Sequence, residues 1–248
     1  MTAFAKPLYV DNHLIVCAKP AGVPVVPDES GDESLLDQAK AWIAEEFKKP
    51  GAVFLGVVHR LDRPVSGVVL FARTSKAAAR LTKAFQTRSV KKTYLGVGMG
   101  PVTSKANEGE LEQWVVKSTR QNKVRTYATE PDAREIDPGE KPKLAKTEWQ
   151  ILEEGDFQGA PVTRFLLQPV TGRSHQLRVA CQTLGSPLLG DLKYAPRGAK
   201  PLSDKSIALH AYSLSVPHPT LKKVMTFVAA LPVGPWWHAF PLQGLESD

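Results

Sequence analysis

Two cysteines are all that the 248-residue chain contains. Cys17 and Cys181 lie far apart and neither sits in a CxxC pair, so a disulfide framework and a zinc knuckle both lack ligands. No apolar run approaches the roughly 18 residues of a membrane span. The first 20 residues carry Lys6 and Asp11 inside any apolar stretch and do not read as a secretory leader. A GxxxxGK phosphate loop, a GxSxG elbow and an HxxxH helix pair are all missing. Gly96, Gly98 and Gly100 follow a strand with no helix signal behind them, which argues against a dinucleotide site. These absences lead us to expect no metal, no nucleotide cofactor, no membrane partner and a reducing cytoplasm. No heptad or long apolar surface helix is evident, so a monomer is expected.

What is present is an ordinary globular composition, 42% hydrophobic and 23% charged, on a chain long enough to bury a core without staples. Its charge is uneven. The formal net charge is +7. Residues 72–94 hold seven Lys and Arg and no acid, and residues 157–200 hold six with one acid, Asp191. Residues 28–47 hold seven acids and one lysine. One basic stretch is commonly a solvated face. Two, each beside a chemically suggestive motif, favour a polyanion such as nucleic acid.

Apolar spacing predicts helices over 34–48, 75–86 and 175–184, with Ser34 and Asp37 resembling a capping box. It predicts strands over 54–58, 68–72 (buried on both faces) and 93–99. Two further strands, 147–153 and 163–170, are expected to pair across a turn, with late strands over 207–216 and 225–230. Residues 109–129 read as strand-like, and the charged, proline-containing stretch 130–143 reads as a loop. No repeat or linker divides the chain. The fold class expected is α+β: a single domain over 1–248, with a mostly antiparallel mixed central sheet flanked by helices.

Two segments carry chemistry. HRLDRPVSG at 59–67 sets Asp62 between two arginines at a proline-restrained turn. Its plain reading is an aspartate that caps a turn and pairs with an arginine. TGRSHQLRVACQTLG at 171–185 clusters Arg173, His175 and Arg178 at a helix start, where free N–H groups favour anions. Ser174 beside His175 is not a triad, because neighbours on a helix point about 100° apart.

Together these segments resemble the RluA-type pseudouridine synthases. KPAGVPVVP (19–27) is similar to that family's first motif and HRLDRPVSGVVLFART (59–74) to its catalytic motif. KKTYLGVGMG (91–100) is similar to its KxY element, TGRSHQLRVACQTLGSPLLGDLKY (171–194) to its third motif, and LHAYSLSVPHP (209–219) to its closing strand. The motifs run in the family's order over about residues 7–231. Val65 stands where Thr is usual and Ala180 where His is frequent. The small N-terminal S4 RNA-binding module of some members is not expected, since the first motif begins almost at the N-terminus.

The resemblance implies a pseudouridine-synthase-like fold and isomerisation of uridine to pseudouridine in ribosomal or transfer RNA, without a cofactor. It implies Asp62 as the nucleophile, Arg178 as the cation paired with it, and Tyr94 as the residue that stacks on the target base. Arg60 would fill the space of the flipped uridine, and His59, Lys91, Lys92, Arg173 and His175 would contact the RNA. Two alternatives remain open. One is a non-catalytic RNA-binding protein on the same fold. The other is a hydrolase using Asp62, which needs a second carboxylate, and only Asp191 lies near the motifs.

Overall fold

The computed structural model describes residues 4–118, 122–137 and 139–240. The chain divides into two compact units, Met1–Lys92 with His210–Leu231, and Thr93–Leu209 with Pro232–Asp248.

The chain begins with β1 (Tyr9–Val10), β2 (Leu14–Lys19), α1 (Leu35–Glu46), β3 (Gly56–Val57), β4 (Ser66–Ala72) and α2 (Ser75–Gln86). β5 (Lys91–Met99) leads into the second unit, with β6 (Glu108–Ser118), β7 (Lys123–Tyr127), α3 (Glu130–Ile136), β8 (Lys143–Phe157), β9 (Ala160–Pro169) and α4 (Gln176–Thr183). The chain then returns as β10 (Leu209–Pro217) and β11 (Val224–Val228), and the short α5 (Pro235–His238) follows.

In the first unit the strand order is β1-β2-β4-β10, with β3 also on β4 and β11 on β10. The β4–β10 pairing is parallel and the others are antiparallel. All seven residues of β4, SGVVLFA, are buried, as its continuous apolar run demands. α1 buries Leu35, Ala39 and Ile43 at four-residue spacing, and Ser34 caps it by accepting from Asp37 N. α2 turns Ala77 and Leu81 into a core that also holds Leu14, Val16, Val68, Leu70, Leu214, Val216 and Phe227.

The second unit is antiparallel throughout, in the order β5-β9-β8-β6-β7. Val179 of α4 packs with Val115, Val124, Ala145 and Tyr194. Each unit thus joins helices to a largely antiparallel sheet, the α+β class expected. One local expectation fails, because the stretch read as a loop begins with α3. Thr129 accepts from Asp132 N (3.3 Å), Pro131 sits in the first turn, and Glu130 and Asp132 complement the helix N-terminus. With Ala133 buried, these terminal signals outweigh the polar composition.

Candidate active site

Asp62 stands in a four-residue turn closed by Val65 N donating to the Asp62 carbonyl (3.0 Å). The turn is clamped from outside. The Arg63 carbonyl accepts from Gly22 N (2.8 Å) and from Lys19 Nζ (3.0 Å), and Arg63 Nε donates back to the Gly22 carbonyl (2.8 Å). The guanidinium of Arg63 also pairs with Asp28 and Asp32. Lys19 is 1% exposed and donates as well to the carbonyls of Pro20 (2.9 Å) and Val23 (2.8 Å). Burial pushes its ammonium down to about 7; the charge of Asp62 opposes that shift and Arg63 adds to it. The KPAGV loop and the aspartate turn therefore form one rigid piece, with half-buried Asp62 in the field of a buried lysine.

The strand behind the turn is held just as firmly. Ser66 Oγ bonds His210 Nδ1 (2.8 Å), whose Nε2 reaches the Ala229 carbonyl (3.1 Å). Nε2 donates to that carbonyl, and burial pushes the pKa of His210 down to about 4, which keeps the ring neutral and leaves Nδ1 to accept from Ser66. Gly67 has φ +121°, and a Cβ there would overlap the backbone of Ala211, so only glycine lets β10 approach. His59 accepts from Leu70 N through Nε2 (2.9 Å) and stacks on Phe85 (5.0 Å, 18°). Burial first, and the charge of Lys92 second, push its pKa down to about 4. The ring of His59 thus anchors the motif to β4 and α2. Arg60 and Lys91 are exposed, and Lys92 is partly buried.

In the second unit Tyr94 lies on β5 opposite Leu167 and is partly buried. Arg178, 6% exposed on α4, presents Nε and Nη2 to the two carboxylate oxygens of Asp191, both at 2.7 Å. Such a fork is a strong, oriented ion pair. The guanidinium also lies over the Tyr194 ring (5.2 Å). The Tyr194 hydroxyl accepts from Val124 N (2.9 Å) and bonds His175 Nδ1 (2.6 Å). His175 takes a left-handed φ of 52° at the start of α4. Buried Gln176 ties this start down. Its Oε1 accepts from Thr171 Oγ1 (2.7 Å) and Arg173 N (3.0 Å), and its Nε2 donates to the Lys146 carbonyl and Thr147 Oγ1, both at 2.9 Å. Arg173 itself is exposed and donates from Nε to the Leu144 carbonyl (3.0 Å). With both oxygens bound to Arg178, Asp191 is a structural carboxylate, which disfavours the hydrolase reading.

Residues 13–183 match the family model for RNA pseudouridylate synthase. The chain belongs to the RNA pseudouridylate synthase family. Its relatives include the RNA pseudouridylate synthase domain-containing protein 1 of Danio rerio, 36% identical over 173 residues, 69% of this chain and 56% of that protein. The chain thus spans little more than half of that relative. The dual-specificity RNA pseudouridine synthase RluA of Haemophilus ducreyi is 30% identical over 227 residues, covering 92% of this chain and 93% of that one. Among solved structures, human RNA pseudouridylate synthase domain containing 1 superposes with a TM-score of 0.72 at 26% identity, covering 93% of this chain and 84% of that one.

For a pseudouridylate synthase, each unit holds members that motif reading does not reach. Lys19 was visible only as a lysine inside the apolar strand LIVCAK, an unusual place for an ammonium. His210 and Tyr194 sit in motifs that were recognised, without a task assigned to either. Asp191 was noted only as a spare acid, and its partner could not be read from spacing.

Proposed function

We propose that this protein isomerises uridines in ribosomal or transfer RNA with Asp62 as nucleophile. The N1–C1′ bond breaks, the base turns, a C5–C1′ bond forms, the C5 proton leaves and N1 takes one up. A carboxylate can attack an anomeric carbon as a nucleophile, as one of the two carboxyl groups of a retaining glycosidase does. The observation that carries this reading is the clamped aspartate turn, which presents one half-buried carboxylate beside a buried lysine in the family's catalytic motif. Tyr94 stacks on the target base and Arg178 is the site's arginine, both assigned by motif position. Arg60 takes the place of the flipped uridine, and His59, Lys91, Lys92, Arg173 and His175 complete the RNA contacts. Extrusion costs a few kcal/mol and least in a loop, so loop uridines are the expected targets. We place the protein as a monomer in a reducing cytoplasm, consistent with Cys17 and Cys181, which are buried and unbridged.

Tritium release from RNA labelled at uridine C5 tests the reaction. Wild-type protein should release it from ribosomal or transfer RNA made without this protein, and Asp62→Asn should bind RNA but release at least about a thousandfold more slowly. Full release by the variant would remove Asp62 from the chemistry. Binding without release by wild type would favour a non-catalytic RNA-binding protein.

A further inference from the structure

Residues 63–107 contain nine Lys and Arg and not one acid. Most of the exposed ones lie on or just after α2. Lys76, Arg80 and Lys83 fall at four- and three-residue spacing on its solvent face, opposite buried Ala77 and Leu81. Arg88 follows the helix with a left-handed φ of 59°, a position where glycine is the ordinary choice, and its side chain is exposed.

A second basic segment comes from far away in sequence. Arg80 Nη1 donates to the Pro219 carbonyl (2.6 Å), which places the turn between β10 and β11 against this helix face. That turn exposes Lys222 and Lys223. It is rigid, because His218 Nδ1 accepts from Leu221 N (2.9 Å) and His218 N donates to the Lys223 carbonyl (2.9 Å). The acid that touches the turn is already occupied. Asp11 accepts from His218 Nε2 (2.8 Å), Tyr9 Oη (2.9 Å) and the His13 and Leu14 amides (both 2.7 Å).

We propose that the exposed face of α2 and the β10–β11 turn together form a docking surface for the RNA backbone, outside the catalytic turn. This rests on the reading of the protein as an RNA-modifying enzyme. The surface offers lysines and arginines, which suit phosphates and carry no base preference of their own. Phe85 stacks on His59, so the helix connects physically to the catalytic motif. RNA held here extends the footprint beyond the reacting nucleotide, and long RNA therefore gains over short. An anionic membrane is the poorer partner, because a membrane-surface helix must insert its apolar face, and here that face is packed in the core.

The test compares three paired variants of the full-length protein: Lys76→Gln/Lys83→Gln, Lys222→Gln/Lys223→Gln, and Lys48→Gln/Lys49→Gln after α1 as the control for net charge. Binding to an unmodified transfer RNA transcript is measured across salt concentrations. Each of the first two pairs should weaken binding severalfold and make the slope of log K against log[salt] shallower by about 1.4 to 1.8, two phosphate contacts' worth. Each should also shrink the advantage in kcat/KM of the transcript over a uridine-containing pentanucleotide. The control should leave the slope as it is. Equal loss in all three pairs, or none in the first two, overturns the proposal. So does tighter binding to vesicles of phosphatidylcholine and phosphatidylserine than to RNA, lost in the same variants. If wild type turns over neither RNA, the proposed reaction fails, and the salt slopes still decide this surface.

Discussion

The first unit carries sixteen Lys and Arg against nine Asp and Glu, and the second sixteen against sixteen, so the whole excess of +7 belongs to the first. The use made of the charges differs as well. In the second unit arginines are drawn inward. Arg178 is bound by Asp191, and Arg164, 4% exposed, donates to the Trp237 and Phe240 carbonyls and lies over the Phe240 ring. Two of the six cations that make residues 157–200 look like a binding face are therefore interior. In the first unit the buried polar groups include Lys19, His210 and Ser66, while the cations of α2 face solvent. A basic stretch thus gains meaning only once its buried members are known.

The contrast can be broken experimentally. The largest effect on stability is expected at the paired charge of the second unit. Asp191→Asn removes the charge that both Nε and Nη2 of buried Arg178 bind, and should cost about 3–5 kcal/mol in urea unfolding. A loss below about 1 kcal/mol would mean that Arg178 does not depend on Asp191. The first unit should instead be sensitive to acid. His59 and His210 are neutral when folded, with pKa values of about 4, whereas the unfolded chain takes up the proton near 6.5. Their contribution is therefore complete above pH 6.5 and is lost as pH falls toward 4. Amide exchange in β4 and β10 should accelerate over that range relative to β8 and β9. His210→Asn should flatten the dependence by about 3 kcal/mol or less. Parallel acceleration in all four strands would erase the distinction between the units. The smallest effect belongs to the exposed end of α3, where Thr129→Ala removes the cap and should cost about 1 kcal/mol by thermal melting.

Local structure was legible where a short-range period or a cap governed it. The spacing of Leu35, Ala39 and Ile43, and of Ala77 and Leu81, marks α1 and α2, and the unbroken apolar run of β4 marks a strand buried on both faces. The polar, proline-containing composition of 130–143 reads as a loop and hides α3, although Thr129, Pro131 and Asp132 supply its cap and first turn. Asp62 and Arg178 stand out through the family resemblance of their motifs; local sequence alone reads Asp62, an aspartate between two arginines, as a turn cap paired with an arginine.

The sequence by itself determined the family, the order of the motifs, the main helices and the excess of positive charge. The helices and the charge follow from composition and from patterns a few residues long, and the family follows from the resemblance of its motifs. Tertiary structure alone decided which charges are interior and what each meets. Arg63 reaches the Gly22 carbonyl across 41 residues, Ser66 meets His210 across 144, and Arg80 meets Pro219 across 139. No helical or strand period links residues so far apart. Chain packing brings them together, and burial then sets their protonation, so that Lys19 is pushed down to about 7 and His210 to about 4.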